Sequence, residues 1–212
     1  MAEFFTHTLQ QYLEAYSSSE PAHLKVIREQ TDTEVHNPKM LSGHYQGRLL
    51  SMISKLLRPR LIVEIGTYTG YSALCLAEGL TEEGMLITFE KNADLADRIK
   101  RNFSTVPLGE KISLNIGDAH ELLPQMDLHP DLVFIDGDKR GYASYYDLLI
   151  PRMTSGSCLL VDNVLWSGKV LDPDMDKKTA ALHQFNQQVA ADQRVDQIML
   201  PIRDGITLIM KK

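Results

Sequence analysis

Two apolar stretches of this 212-residue chain end on oxygen-bearing side chains. Residues 131–139 read DLVFIDGDK, and residues 159–163 read LLVDN. If both runs are neighbouring strands, ~4.8 Å apart, Asp136, Asp162 and Asn163 converge on one point. Three oxygen donors, with no thiolate and no histidine pair, suit a hard cation such as Mg²⁺ or Mn²⁺ rather than zinc. Such an ion prefers about six ligands, which leaves room for water or for two adjacent oxygens of a bound molecule. The competing reading makes the Asp-Asn pair a turn cap. Lys139, three residues after Asp136, suits an ion pair with Asp136 or Asp138 if it has no chemical role.

A second group surrounds a glycine turn. The run 64–70 is EIGTYTG, a G-x-x-x-G pattern without the G-x-G-x-x-G or Gly-Lys-Ser/Thr signatures of phosphate binding. Gly66 permits a tight turn and close approach of a ligand, here a nucleoside without pyrophosphate. Glu64 is a carboxylate inside an apolar run and needs a donor or a cation. Glu90, closing the next run, can accept bonds from both ribose hydroxyls. Asp118 and the Ala119 backbone can meet a nucleobase edge, or Asp118 can cap the following helix. Ser72 has the same two options, cap or carboxylate ligand.

These residues require a sheet that puts them at strand ends, where open α/β sheets bind ligands. Near-continuous apolar runs at 61–66, 85–90, 112–117, 131–136 and 157–162 read as strands covered on both faces. Helical stretches near 71–79, 93–103, 119–123 and 142–150 alternate with them, which predicts a doubly wound parallel sheet. The runs 197–202 and 206–211 predict a hairpin around a tight Asp204-Gly205 turn, adding an antiparallel strand. Upstream, 4–30 reads as one or two amphipathic helices broken at Ser17–Pro21. A further helix over 43–57 has Leu49, Leu50, Ile53, Leu56 and Leu57 at helical spacing and ends at Arg58-Pro59. The expected organisation is one domain over 1–212, with a helical cap at 1–57 and an α/β core at 58–212.

The composition, with 43% apolar and 24% charged residues, is that of a globular protein. Neither a membrane span nor a signal peptide is apparent, so a cytoplasmic location is expected. Cys75 and Cys158 lie in apolar segments and read as buried free thiols. A net charge of −6 disfavours nucleic acid without excluding it; the densest basic cluster, RIKRNF at 98–103, reads as a solvated helix face.

The motifs VEIGTYTGYS, FIDGDKRGY and LLVDNVLWSG, with LPIRDGITL near the C-terminus, resemble those of the cation-dependent O-methyltransferases, the family of catechol and caffeoyl-CoA O-methyltransferases and their bacterial relatives. The resemblance runs from about Met40 to the end. It implies the Rossmann-like class I methyltransferase fold, with a seven-stranded sheet and an antiparallel C-terminal strand. It implies S-adenosylmethionine as methyl donor, Mg²⁺ or Mn²⁺ on Asp136, Asp162 and Asn163, and Lys139 as the base. Met40, Glu64, Gly66, Ser72, Glu90, Asp118, Ala119 and Asp136 match cofactor-contacting positions. Met40, Lys139, Asn163 and Trp166 fall on the acceptor side, Trp166 in the loop after the metal ligands; a plain hydrophobic anchor is the alternative for it. Gly137-Asp138 and the segment 168–178 match the bacterial and plant branch. The implied acceptor is a small catechol-like phenol, and the implied assembly is a homodimer. The wobble 5-hydroxyuridine of tRNA is the rival acceptor, and a nicotinamide-dependent oxidoreductase is the distant rival.

Overall fold

A computed structural model describes residues 7–212. The helical expectation for residues 4–6 lies outside the described residues. The sheet has seven strands: β1 (Leu61–Ile65), β2 (Met85–Glu90), β3 (Ile112–Ile116), β4 (Leu132–Ile135), β5 (Cys158–Asp162), β6 (Val195–Leu200) and β7 (Ile206–Lys211). Their order is β3-β2-β1-β4-β5-β7-β6. Strands β2 and β3 pair parallel, as do β1 and β2, and β4 and β5; β7 runs antiparallel to both β5 and β6. The class I methyltransferase topology expected from the motifs is therefore present. Among the described residues no helix is long and apolar enough to cross a membrane.

The described chain falls into two compact units, residues 7–119 and residues 120–212. The first holds α1 (His7–Ala15), α2 (Ala22–Glu34), α3 (Gly43–Leu57), β1, α4 (Tyr71–Ala77), β2, α5 (Ala96–Phe103) and β3. The break at Ser17–Pro21 is real: Pro21 stands just ahead of α2 and its carbonyl accepts from Lys25 N–H at 3.0 Å. Helix α3 has the expected span but buries a different face. Gln46, Gly47, Leu50, Ser51 and Ser54 are buried, whereas Leu56 is 77% exposed. Small side chains let α3 lie close against α4. A Cβ on Gly47 would stand 2.7 Å from the Tyr71 ring and 2.9 Å from Cys75 Sγ, and Ser54 Oγ donates to Leu76 O at 2.5 Å. Close approach plus a hydrogen bond outweighs the leucine periodicity at this contact.

The second unit holds α6 (Ala119–Leu122, beginning on the last residue of the first), β4, α7 (Tyr142–Leu149), β5, α8 (Lys177–Ala191), β6 and β7. The continuous apolar runs of β4 and β5 are buried along their whole length. Strand β3 is not, because it is an edge strand, and Ser113 and Ile116 are exposed. Helix α8 is not anticipated by the sequence pattern. Asp176 caps it by accepting from Thr179 N–H at 2.8 Å, and it buries Thr179, Leu182, Phe185 and Val189. The Phe185 ring meets Tyr142 and Tyr146 edge-on at 5.6 and 6.0 Å. The terminal hairpin also differs in detail. Its last registered pair is Leu200↔Ile206, so five residues, 201–205, connect the strands in place of the three, Arg203-Asp204-Gly205, expected from sequence. Cys75 and Cys158 are free and buried, as expected.

Candidate active site

In the first unit the glycine turn follows β1 with Gly66 at φ 99°, Tyr68 at 52° and Gly70 at 86°. Gly66 N–H donates to Phe89 O at 3.0 Å, which stitches the turn to β2. The turn carries Glu90 with it. Tyr68 N–H donates to Glu90 Oε2 at 2.8 Å and Asn92 N–H to Oε1 at 2.7 Å. Both carboxylate oxygens are thus oriented by backbone donors, and each retains lone-pair capacity for a ligand hydroxyl.

Glu64 is completely buried, which is tolerable for a carboxylate only with donors around it. Ser72 Oγ donates to its Oε1 at 2.6 Å and Thr88 Oγ1 to its Oε2 at 2.5 Å. Thr67 and Thr88 hydroxyls lie 2.5 Å apart; since the Thr88 proton goes to Glu64, Thr67 is the donor between them. Glu64 and Ser72 therefore act as one buried unit. The two threonines are not among the residues singled out by sequence, although Thr88 interrupts an otherwise apolar run.

After β3, Gly117 N–H donates to Glu90 O at 2.8 Å, placing Asp118 beside the end of β2. Lys91 Nζ donates to Asp118 Oδ2 at 2.6 Å. Ala119 is buried at the start of α6. Met40 stands at the end of a 3₁₀ turn, Pro38–Met40, and is exposed. Its N–H donates to Asn37 O at 3.0 Å, and among the described residues no hydrogen bond joins it to the other predicted positions.

In the second unit the ends of β4 and β5 stand together. Their last registered pair is Ile135↔Val161; Asp136 comes next after β4 and Asp162 closes β5. Asp162 is buried, and its Oδ1 accepts from Asn163 N–H at 2.7 Å. Asn163 holds φ 59°, the left-handed region that few non-glycine residues occupy. Lys139 is buried, and its Nζ donates to Asp136 Oδ1 at 2.9 Å. Its partner is thus Asp136; Asp138 pairs instead with Arg140, at 2.8 Å, which holds the Asp138 carboxyl below its ordinary pKa. The Lys139 ammonium also lies 5.3 Å from the centre of the Tyr142 ring. Burial, with the charges of Asp136 and Asp162, pushes the Tyr142 hydroxyl well above its ordinary pKa. It stays a donor, bonding Asp162 O at 3.0 Å.

The Trp166 backbone N–H donates to Asn163 O at 3.2 Å, closing a turn directly after the metal-ligand candidates. Lys178 Nζ sits 4.6 Å over its ring. No cluster of three His, Cys, Asp or Glu side chains suited to a metal occurs among the described residues. The candidate donor set here is two carboxylates and one amide, which is not a cluster of that kind. All three are oxygen donors and fit a hard cation.

A family model described as O-methyltransferase matches residues 14–212. The chain belongs to the O-methyltransferase family. It is 32% identical over 188 residues to "Probable caffeoyl-CoA O-methyltransferase 1" of Dictyostelium discoideum, covering 85% of this chain and 82% of that one. It is 30% identical over 209 residues to "Catechol O-methyltransferase domain-containing protein 1" of Mus musculus, covering 96% and 79%. The crystal structure of an S-adenosylhomocysteine-bound methyltransferase of Podospora anserina matches with a TM-score of 0.91 and 27% identity, over 100% of this chain and 97% of that one. The protein is accordingly an S-adenosylmethionine-dependent O-methyltransferase, and the nicotinamide alternative drops out with that membership.

Proposed function

We propose that this O-methyltransferase methylates one hydroxyl of a small vicinal dihydroxy phenol, with a divalent cation held by Asp136, Asp162 and Asn163. The observation that carries the reading is the pairing of β4 and β5, which sets Asp136 and Asp162 at neighbouring strand ends with Asn163 next in line. The names of the Dictyostelium and mouse relatives point to the same acceptor chemistry. Bound there, Mg²⁺ or Mn²⁺ would lower the pKa of a coordinated hydroxyl, ordinarily ~10 for a phenol. Lys139, in its free-amine form, would take that hydroxyl's proton, with Tyr142 and Asp136 holding its side chain. S-adenosylmethionine supplies an already activated methyl, so the protein's work is positioning and deprotonation. The phenol oxygen gains the methyl, the sulfonium becomes a neutral thioether, and the proton leaves on Lys139.

On the cofactor side, Glu90 accepts from the ribose hydroxyls and the Gly66–Gly70 turn admits the ligand closely. Asp118 and Ala119 border the base, and Glu64 works by fixing Ser72. Met40 and Trp166 are the further residues assigned to the acceptor. The reading includes a homodimer acting in the cytoplasm, whose assembly light scattering measures directly.

The test follows methyl transfer from labelled S-adenosylmethionine to catechol, protocatechuate, caffeate, caffeoyl-CoA and hydroxyuridine-bearing tRNA. EDTA treatment is expected to abolish transfer to the catechols, and Mg²⁺ or Mn²⁺ to restore it. Unchanged rates after rigorous metal removal defeat the metal assignment; transfer to tRNA alone defeats the acceptor assignment.

A further inference from the structure

The connection between β6 and β7 does more than reverse the chain. Leu165 N–H donates to Asp204 O at 2.9 Å, and Val164 N–H to Gly205 O at 3.2 Å. Ser167 N–H donates to the Asp204 carboxylate, through Oδ1. One turn thus holds three amides of the segment that begins at Asn163. That segment is conformationally expensive: Asn163, Trp166, Ser167 and Gly168 have φ of 59°, 47°, 53° and 82°. Each non-glycine residue there is strained and persists only where its surroundings impose it.

The turn is itself built for the contact. Arg203 and Gly205 have φ of 50° and 88°, and a Cβ on Gly205 would run into the Leu165 side chain. From the other side, Asn186 Nδ2 donates to Val164 O at 2.9 Å. The clamp therefore fixes Val164, Leu165 and Ser167, on both sides of Trp166, through their backbone atoms.

The geometry points to Asp204 as a positioning residue that sets the acceptor-side loop, holding Leu165 and Ser167 so that Asn163 and Trp166 keep their places. This rests on the reading that Asn163 and Trp166 face the acceptor. It adds a residue acting from the far end of the chain, through backbone atoms of the loop alone.

The experiment compares Asp204→Ala with Asp204→Asn in the full chain; asparagine keeps an accepting oxygen without the charge. Hydrogen exchange over 163–168 and steady-state kinetics with catechol and S-adenosylmethionine varied separately are read together. In Asp204→Ala, exchange of this segment is expected to rise about tenfold for the lost bond, and KM for catechol to rise by a similar factor. KM for S-adenosylmethionine stays within about twofold, since the bond removed lies on the loop and not on the glycine turn. Asp204→Asn restores wild-type exchange and KM. Unchanged exchange in Asp204→Ala overturns the proposal, as does an equal rise in both KM values or an Asn variant no better than Ala. If the wild type does not methylate catechol, the acceptor reading fails and the exchange comparison still decides the clamp. Asp204→Ser substitutes for the alanine variant if that does not fold.

Discussion

At the scale of single residues, the site separates side chains that hold from the one that reacts. Tyr142 is a holder: its hydroxyl is pinned to Asp162 O and its ring lies beneath Lys139. Lys139 is buried and paired with Asp136, and in the proposed reaction it is the group that takes the acceptor's proton. General-base removal costs about 10²–10⁴-fold in turnover. Lys139→Met, similar in length but without the amine, is therefore expected to lose kcat by that range with saturating Mg²⁺ and S-adenosylmethionine. Cofactor affinity, measured by calorimetry, should stay unchanged. A Met variant that keeps full turnover reduces Lys139 to an ion-pair partner of Asp136. The metal-ligand candidates and Lys139 were legible in sequence because a carboxylate ending an apolar run is costly unless a cation or several donors meet it. Asp204 was not, since Asp-Gly is also the commonest way to write a plain turn. Thr67 and Thr88 stayed hidden for a related reason: threonine is an ordinary strand residue, and only burial beside Glu64 gives its hydroxyl a task.

At the scale of elements, the strongest electrostatic joint ties α3 to the end of α4. Glu78 accepts from Arg48 at 2.6 and 3.0 Å, from Lys55 at 2.7 Å and from Ser51 at 2.8 Å. Burial by itself would raise the Glu78 pKa; Arg48, Lys55 and Ser51 together bring it down to about 2. A carboxyl depressed in the folded state stabilises the fold above its unfolded pKa, 4.5, and loses that contribution as pH falls towards 2. Glu78→Gln leaves Arg48, whose side chain is only 10% exposed, without its counter-charge. Breaking a buried pair in this way costs about 3 kcal/mol, and each kcal/mol moves Tm by about 2–4 °C in a chain of this size. Thermal melts should therefore show a loss of about 6–12 °C at pH 7, narrowing as pH drops from 4.5 towards 2. A loss that is the same at every pH refutes the linkage. Helix α3 was visible in sequence by its leucines, yet of these only Leu50 is fully buried; Gln46, Gly47, Ser51 and Ser54 make up the rest of the buried face, because close approach to α4 favours small side chains. Helix α8 escaped notice altogether. Its buried positions, Thr179, Leu182, Phe185 and Val189, are too sparse among glutamine, asparagine and alanine to form an apolar stripe.

For the whole molecule, strand order and net charge bear on what the protein can take as an acceptor. The apolar runs and the hairpin were enough to imply seven strands with an antiparallel end, but not their order, nor that β3 would be an exposed edge, since both are set by partners far away in sequence. Charge is the simpler quantity. The chain carries −6 overall, and its densest basic cluster is thinner in three dimensions than in sequence. Arg98 donates to Glu34 at 2.8 Å, Ile99 is buried, Asn102 Nδ2 holds Thr69 O at 2.8 Å and Phe103 underlies Gly70. Only Lys100 and Arg101 of that cluster are exposed cations. Polyanion binding draws its affinity from several phosphates neutralised at once and weakens by about 10³ or more between 50 and 200 mM salt when six are contacted. Two outward cations on an acidic surface supply little of that. Bulk tRNA added to a catechol methylation assay should consequently leave the rate within about twofold, at low and at physiological salt alike. Inhibition that is strong at ~50 mM and fades steeply by ~200 mM would show a phosphate-binding surface that these charges do not account for. It would move the acceptor assignment from a small phenol to an RNA base.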